Sequence, residues 1–398
     1  MLDNQDTILT EQSQDVEADK IEQESTSEEV ITQPFSPNEI KLSNPPMNLG
    51  DLIDRIMYKW VNLNTEYQRE MNLWTPTQQS RLIESVLLGL RLPAFYFEEV
   101  NTNHWNIIDG LQRCCAIKNF CVDKSLKLVN LEFLDKYNGK YFDDLQFETI
   151  RDIRMLPITV NVLERGVPDQ VKYILFKRLN TGGIELTSQE IRNAMFIGRA
   201  IDTVRRMARQ DEAFKQATDY RVPSFRHVDM DFVSRFVAFY RLGYNNYEPD
   251  LEHFINMGMS DLRDRATDID IAKMESDFHK SMVLAYEVFG NRAFRKQINR
   301  EESRRSINKA YFEVISSQFA LMSEEQIIKL RANKDVLVDN LNTAMRESTP
   351  FWNSFSGGTG SVDSVRRRHS WFKIILEKSI NGIVISINDD NKIEDREF

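Results

Sequence analysis

The chain of 398 residues contains few of the residues on which disulfide frameworks and metal sites depend. It has three cysteines and five histidines, and Cys114, Cys115 and Cys121 lie close together with no histidine beside them. An odd number of clustered cysteines does not indicate a disulfide framework. The histidines show no His-Asn-His nuclease pattern with metal-binding spacing. Cys114 and Cys121 are therefore predicted to lie on the buried face of a helix.

Three further patterns are missing. The sequence contains no run of about 18 apolar residues, which a membrane-spanning helix would need. No membrane partner is therefore expected. The N-terminus lacks the basic and apolar pattern of a secretion signal, which predicts a cytoplasmic protein. No Gly-x-x-x-x-Gly-Lys-Ser/Thr motif occurs, so a bound nucleotide would be held in another way than by a P-loop.

Negative charge is concentrated at the N-terminus. Residues 1–41 contain eleven Asp and Glu against two Lys, and the whole chain has a net charge of -10. Such a segment has little to bury, so residues 1–45 are predicted to be a disordered acidic tail. Two roles stay open for it, a solubilising tail or a mimic of DNA charge that covers a basic groove. Residues 46–198 and 199–398 are predicted to be the two folded domains.

The most informative motif is Asp109-Gly110-Leu111-Gln112-Arg113. It lies between a strand-like run, 104–108, and a run with helical spacing, 114–120. Gly110 permits a sharp turn, and the first amides of the following helix form an anion site at the positive end of the helix dipole. The alternative is a turn with a helix N-cap and no ligand.

The side chains of this motif suit a polyphosphate. Arg113 presents a planar, permanently charged fork to phosphate oxygens, and Gln112 can orient a phosphate oxygen or a water. Asp109 could cap the helix, hold Mg²⁺ or orient the attacking water. Mg²⁺ is therefore the expected cofactor.

Capping patterns place several elements. Thr75-Pro76-Thr77-Gln78 predicts a helix to about Leu88, with Arg81 and Glu84 on its edge, and Thr187 to Glu190 predicts a second capping box. The runs 94–98, 104–108, 127–133 and 157–163 read as strands of a mixed sheet with covering helices. A helix over 168–179 leads into the tight loop of Asn180, Thr181, Gly182 and Gly183. This loop either lines the same pocket or is only a glycine C-cap.

Several motifs together resemble one family. They are Thr65 to Arg69 with Tyr67-Gln68-Arg69, Trp74, Ser80 to Gly89, the Asp-Gly-Leu-Gln-Arg run, Phe176 to Gly183, and Leu186 to Ala194. In this order they resemble the N-terminal domain of GmrSD-type restriction endonucleases, the domain of unknown function numbered 262. The family usually has glutamine where this chain has Leu111, which removes one polar contact.

The resemblance implies a fold of the ParB and sulfiredoxin type and a part in nucleotide-regulated defence against foreign DNA. It implies that Asp109, Gln112 and Arg113 act on a nucleoside triphosphate. Tyr67, Gln68, Arg69, Gly110 and the loop 180–183 are implied to bind it. Hydrolysis would control a separate nuclease subunit, since no nuclease half is recognised here. The rival interpretation is a non-catalytic sensor or interaction protein with a degenerate pocket.

From about Arg199 onward helical patterns dominate. Phe232, Phe236, Phe239 and Tyr240 have the spacing of a helix core. A first basic cluster, Arg292, Arg295, Lys296, Arg300, Arg304 and Arg305, is interpreted as a solvated helix face or as phosphate contacts. Arg366, Arg367 and Arg368 are the better candidates for contacts with DNA.

Overall fold

The computed structural model describes residues 21–22, 41–63, 74–179 and 186–396. The chain divides into two compact units, Phe35–Met195 and Phe196–Phe398, and the second also includes Met1–Pro34. The first unit contains a mixed sheet with helices, and the second is almost wholly helical. The predicted α+β class with a mainly helical C-terminal part is confirmed.

The described strands of the first unit form a five-stranded main sheet and a separate two-stranded sheet. They are β1 (Leu42–Ser43), β2 (Met47–Asn48), β3 (Val61–Asn62), β4 (Phe95–Asn101), β5 (His104–Asp109), β6 (Pro157–Ile158) and β7 (Val160–Leu163). The sheet has the order β1-β7-β4-β5-β3, and β2 pairs with β6. β4 runs antiparallel to β5 and parallel to β7, while β3 runs parallel to β5. β5, which ends at Asp109, therefore lies inside the sheet.

Helices cover both faces of this sheet. They are α1 (Leu49–Met57), α2 (Pro76–Leu87), α3 (Leu111–Ile117), α4 (Phe147–Met155), α5 (Asp169–Leu179) and α6 (Ser188–Met195). On one face, Phe97 and Val162 pack into a core with side chains from α1 to α4. Neighbouring residues of a strand point to opposite faces, and on the other face Leu163 packs with Val171 of α5.

Local capping signals are confirmed. The Thr75 side chain accepts a hydrogen bond from the backbone N–H of Gln78, and the Gln78 side-chain oxygen accepts one from the backbone N–H of Thr75. Pro76 occupies the first helical position. Thr187 and Glu190 exchange the same pair of bonds, at 2.7 and 3.2 Å. Each box satisfies amides that a helix start leaves without partners, which is why these starts are readable from sequence.

The predicted strand over 127–133 is wrong. This segment is an irregular loop, and several of its amides bond to α2 side chains rather than to a strand. Val129 N donates to Ser80 Oγ at 3.0 Å. The amides of Glu132, Phe133 and Leu134 donate to the Glu84 carboxylate at 3.0, 2.7 and 2.8 Å.

Glu84 is therefore not on the helix edge as predicted, because it is buried under this loop. Burial alone would raise the pKa of Glu84, but the three backbone amides outweigh it and lower the pKa below its usual value. Arg81, in contrast, is exposed and pairs with Glu132 at 2.9 Å. The carboxylate of Glu84 is thus the group that organises the loop.

The second unit is built from ten described helices and one small hairpin. They are α7 (Arg199–Gln210), α8 (Glu212–Ala217), α9 (Val228–Leu242), α10 (Leu251–Asp264), α11 (Asp268–Phe289), α12 (Lys309–Ala320), α13 (Glu324–Ala332), α14 (Lys334–Glu347), α15 (Thr349–Asn353), α16 (Val362–Ile380), β8 (Ile385–Ile387) and β9 (Ile393–Asp395). Phe232, Phe236 and Phe239 of α9 are buried, as predicted. In the described part of the chain, no helix combines the length and the apolar character needed to cross a bilayer.

Candidate functional site

A single left-handed glycine makes the turn between β5 and α3. Gly110 has φ +101° and ψ 15°, a conformation that residues with a side chain rarely adopt. A Cβ at this position would lie 2.7 Å from Cδ1 of Phe95 and 3.2 Å from Nη2 of Arg113. Both backbone conformation and available space therefore require glycine.

The helix start after this turn has the features of an anion site. The first helical bond runs from Cys114 N to Gly110 O at 2.9 Å, so the amides of residues 111–113 precede the helical ladder. The first turn of α3 carries no acidic side chain. Helical structure continues as a π-helical turn over Lys118–Val122. The positive end of the resulting dipole lies at the turn.

Arg113 is held by the protein itself. Its Nη2 donates to Oδ2 of Asp109 at 2.8 Å, and its Nη1 donates to the carbonyl oxygens of Pro93 and Ala94. Its Cζ lies 4.6 Å from the centroid of the Phe95 ring. The side chains of Arg113 and Asp109 are 12% and 29% exposed. The structure thus joins two of the predicted catalytic residues, and Arg113 fixes the carboxylate of the other.

Leu111 and the three cysteines have apolar surroundings in the first unit. Leu111 packs against the apolar core of the first unit, whereas Gln112 is half-buried at the helix start. All three cysteines are buried free thiols. Burial raises the pKa of Cys115 to about 11 and that of Cys121 to about 12. They are therefore protonated at neutral pH and poor nucleophiles.

A buried polar row on the sheet was not predicted from the sequence. Glu98 of β4 and Asn106 of β5 are paired across the sheet and are both buried. Asn62 Nδ2 donates to Asn106 Oδ1 at 3.3 Å. Lys172 of α5 donates to Glu98 Oε1 and lies 3.6 Å from Asp169. The only sequence signal was a set of polar residues inside strand-like runs, and sequence alone does not show that they face one another.

A second buried polar network lies on α6, which packs against β5. Gln189, Arg192 and Asn193 are almost fully buried. Arg192 Nε donates to Gln189 Oε1 at 2.7 Å, and Gln189 Nε2 donates to Asn193 Oδ1 at 2.9 Å. The structure places the Arg192 guanidinium inside the unit, hydrogen-bonded within its own helix.

The remaining predicted nucleotide contacts lie outside the described residues. They are Tyr67, Gln68, Arg69, Asn180, Thr181, Gly182 and Gly183. Among the described residues, no group of three His, Cys, Asp or Glu side chains gathers as a metal centre.

Arg366, Arg367 and Arg368 do not share one surface. Arg366 and Arg367 are exposed on α16, but Arg368 is fully buried. Arg368 Nε donates to Glu313 Oε1 at 2.7 Å, and its Nη1 donates to Thr359 O at 2.6 Å. The prediction that Arg368 contacts DNA is therefore wrong, because its guanidinium binds a buried carboxylate and loop carbonyl oxygens.

The first basic cluster is not a helix face either. Residues 293–306 are irregular, and within them Arg295 and Lys296 are buried. Arg300 bonds to Asp335 and Asp339 at 3.0 and 2.8 Å, and Arg304 bonds to Asp219 at 2.7 Å. Neighbouring acids thus neutralise much of the cluster.

Comparison with known families gives one match. Residues 49–197 match the family described as GmrSD restriction endonuclease, N-terminal domain. The match contains the turn at Gly110, the polar row on the sheet and α6, and it covers less than half of the chain. No curated protein and no solved structure matches the chain.

Proposed function

On the premise that residues 49–197 form a GmrSD-type N-terminal domain, we propose that this chain is a nucleotide-dependent component of a restriction defence system. It binds a nucleoside triphosphate with Mg²⁺ at the turn of Asp109 to Arg113, hydrolyses it, and through this cycle controls a separate nuclease. The observation that carries the proposal is the contact between Asp109 and Arg113 across a turn that only glycine can form.

In this proposal each part of the turn has its own role. The amides of residues 111–113 and the helix dipole bind phosphate oxygens. Arg113 holds Oδ2 of Asp109, which leaves Oδ1 to bind Mg²⁺ or to orient the attacking water. Gln112, half-buried beside it, orients that water or a phosphate oxygen. A triphosphate supplies most of the other oxygen ligands that Mg²⁺ needs.

The proposal also assigns nucleotide binding to residues outside the described part of the chain, namely Tyr67, Gln68, Arg69, Asn180, Thr181, Gly182 and Gly183. In this proposal Arg69 offsets charge that develops on the phosphates. Of the described elements next to these residues in the sequence, β3 pairs with β5, and α5 and α6 both pack against β5.

DNA is proposed to meet the helical unit. Arg366 and Arg367 are adjacent and exposed on α16, and such cations bind DNA phosphates in a salt-dependent way. The bound DNA would be the signal, and nucleotide turnover the step that licenses the partner nuclease.

One observation favours a second candidate, a sensor that binds the nucleotide without hydrolysing it. Leu111 packs into the core where the resemblance expects a polar side chain, and Nη1 and Nη2 of Arg113 make three hydrogen bonds to protein oxygens. Both candidates bind the nucleotide, but only the enzyme hydrolyses it.

The test is a titration of the full chain with each of the four ribonucleoside triphosphates and Mg²⁺, following thermal unfolding and phosphate release. A ligand at 100 times its dissociation constant adds about 2.7 kcal/mol of stability. Asp109→Asn, Arg113→Ala and the exposed control Arg151→Ala are compared with the wild type. Stabilisation with turnover supports the enzyme and stabilisation alone the sensor. No response to any triphosphate would reject both.

A further inference from the structure

In the helical unit one buried lysine, Lys296, contacts Trp352 and Ser356, and with Asn308 these residues form a polar cluster that we call the pocket. The Lys296 side chain is 5% exposed, and its Nζ lies 4.7 Å from the centroid of the Trp352 ring. Nζ donates to Ser356 Oγ at 2.6 Å and to Glu22 Oε1 at 2.7 Å. Burial lowers the pKa of Lys296, and the Glu22 carboxylate opposes that effect. A buried ammonium without an anion is costly, so this pocket requires an anionic partner.

Asn308 supplies the second donor of the pocket. It is the N-cap of α12, where its Oδ1 accepts from Tyr311 N at 2.8 Å, which orients the amide so that Nδ2 faces the pocket. Nδ2 donates to Glu22 Oε2 at 2.9 Å and to Phe355 O at 2.8 Å. Each carboxylate oxygen of Glu22 therefore has its own buried donor.

The backbone beside Glu22 is also attached to the helical unit. Ile21 forms a parallel bridge with Ile307, and Glu22 N donates to Ile307 O at 2.8 Å. The Glu22 side chain is 31% exposed, at the mouth of the pocket. Glu22 of the acidic N-terminal region thus contacts the basic segment for which the sequence left two interpretations open, a solvated helix face or phosphate contacts.

We infer that Lys296 and Asn308 form an oxyanion-binding site that Glu22 fills in cis and that a phosphate group fills by displacing it. A primary ammonium and a side-chain amide, each donating to one oxygen of the same carboxylate, present the same donors to phosphate oxygens. Ser356 Oγ accepts from the lysine and so orients its ammonium. Arg305, whose Cζ lies 5.0 Å from the centroid of the Trp352 ring, is paired with Glu302. This site is separate from the proposed nucleotide turn and stands without it.

Trypsin offers a direct readout on the full chain, because Lys20 directly precedes Ile21 and the next lysine or arginine is Lys41. The rate of cleavage after Lys20, followed by intact mass, is divided by the rate in a free peptide of residues 15–30 with the same sequence. This ratio removes the effect of each substitution on the protease itself. Glu22→Gln is the test variant, and Glu24→Gln is the control with the same charge change in the same region.

Docking predicts that Glu22→Gln raises the ratio about tenfold or more, since it loses a charge-assisted contact, and that Glu24→Gln leaves it unchanged. Inorganic phosphate should raise the ratio in the wild type more than chloride at equal ionic strength, and should have no further effect on Glu22→Gln. A short duplex DNA in a parallel arm separates a backbone phosphate from free phosphate. Equal ratios for the two variants, or equal effects of phosphate and chloride, would overturn the inference.

Discussion

Arg113 in the first turn of α3 and Asp109 at the end of β5 are joined by a hydrogen bond of 2.8 Å from Nη2 to Oδ2. The same guanidinium also binds the carbonyl oxygens of Pro93 and Ala94, so it ties the helix start to the segment that leads into β4. In the proposed nucleotide site Arg113 therefore has two separable tasks, to hold the carboxylate in place and to add positive charge beside the phosphates. Substitutions at the two positions should consequently give different results.

Arg113→Ala should abolish triphosphate binding and also destabilise the unliganded protein, because it leaves Asp109 and two carbonyls without their donor. The expected cost is about 1–3 kcal/mol. Asp109→Asn should keep binding and lose turnover, since the amide holds Mg²⁺ and the water less well. Thermal unfolding and phosphate release measure both. If Arg113→Ala retains full binding and stability, the assigned role of Arg113 is wrong.

Gly110→Ala should destabilise the protein by more than Gly89→Ala. Both glycines have positive φ, +101° and +71°, so alanine is strained at each, at about 1–3 kcal/mol. Only at Gly110 would the new Cβ also meet a neighbour, 2.7 Å from Cδ1 of Phe95, whereas nothing lies within 4 Å of a Cβ at Gly89. Urea unfolding of the two variants checks the difference. Equal losses would show that the contact with Phe95 is relieved without cost.

Structure that depends on neighbouring residues could be predicted from the sequence, whereas structure that depends on residues far apart in the chain could not. The helix starts at Pro76 and Ser188 were predictable because each capping box lies within four consecutive residues. The loop over 127–133 was not, because its amides bond to Ser80 and Glu84, about 50 positions earlier in the chain. Its alternating apolar residues have the same spacing in a strand and in this loop.

The candidate site divides in the same way. The strand, glycine turn and helix around Gly110 follow from neighbouring residues, and the turn has the predicted form. The contacts of Arg113 with Pro93 and Ala94 span about 20 positions, and the polar row of Asn62, Glu98 and Lys172 depends on strand pairing. Sequence could not show that Arg368 is buried, because its partner Glu313 is 55 residues away.

Glu84→Gln should weaken stability at neutral pH and flatten its dependence on pH. The carboxylate accepts three loop amides, and its pKa is lowered in the folded protein. A lowered pKa stabilises the fold above the unfolded value of about 4.3, and this contribution is lost as pH falls through the folded pKa. The variant keeps one acceptor oxygen, and an expected loss is about 1–3 kcal/mol.

Urea unfolding between pH 7 and pH 3 measures this effect. The wild type should lose its advantage over Glu84→Gln as the pH falls from about 5. Glu132→Gln is the matched control, because that side chain is half exposed and pairs with the exposed Arg81. A wild type and variant whose difference stays constant over the whole range would contradict the role of the charged carboxylate.

Arg366→Ala and Arg367→Ala should each weaken binding to duplex DNA without a measurable change in stability, because both side chains are exposed on α16. Each lost phosphate contact should reduce the slope of log affinity against log salt by about one. Arg331→Ala, an exposed arginine of α13 paired with Glu287, is the control. Arg368→Met should instead destabilise the helical unit by about 3–5 kcal/mol, because it removes a partner of the buried Glu313. Fluorescence anisotropy at several salt concentrations and urea unfolding separate the two effects. If Arg366→Ala and Arg367→Ala bind DNA as the wild type does, with the same salt slope, DNA does not meet α16 at these residues.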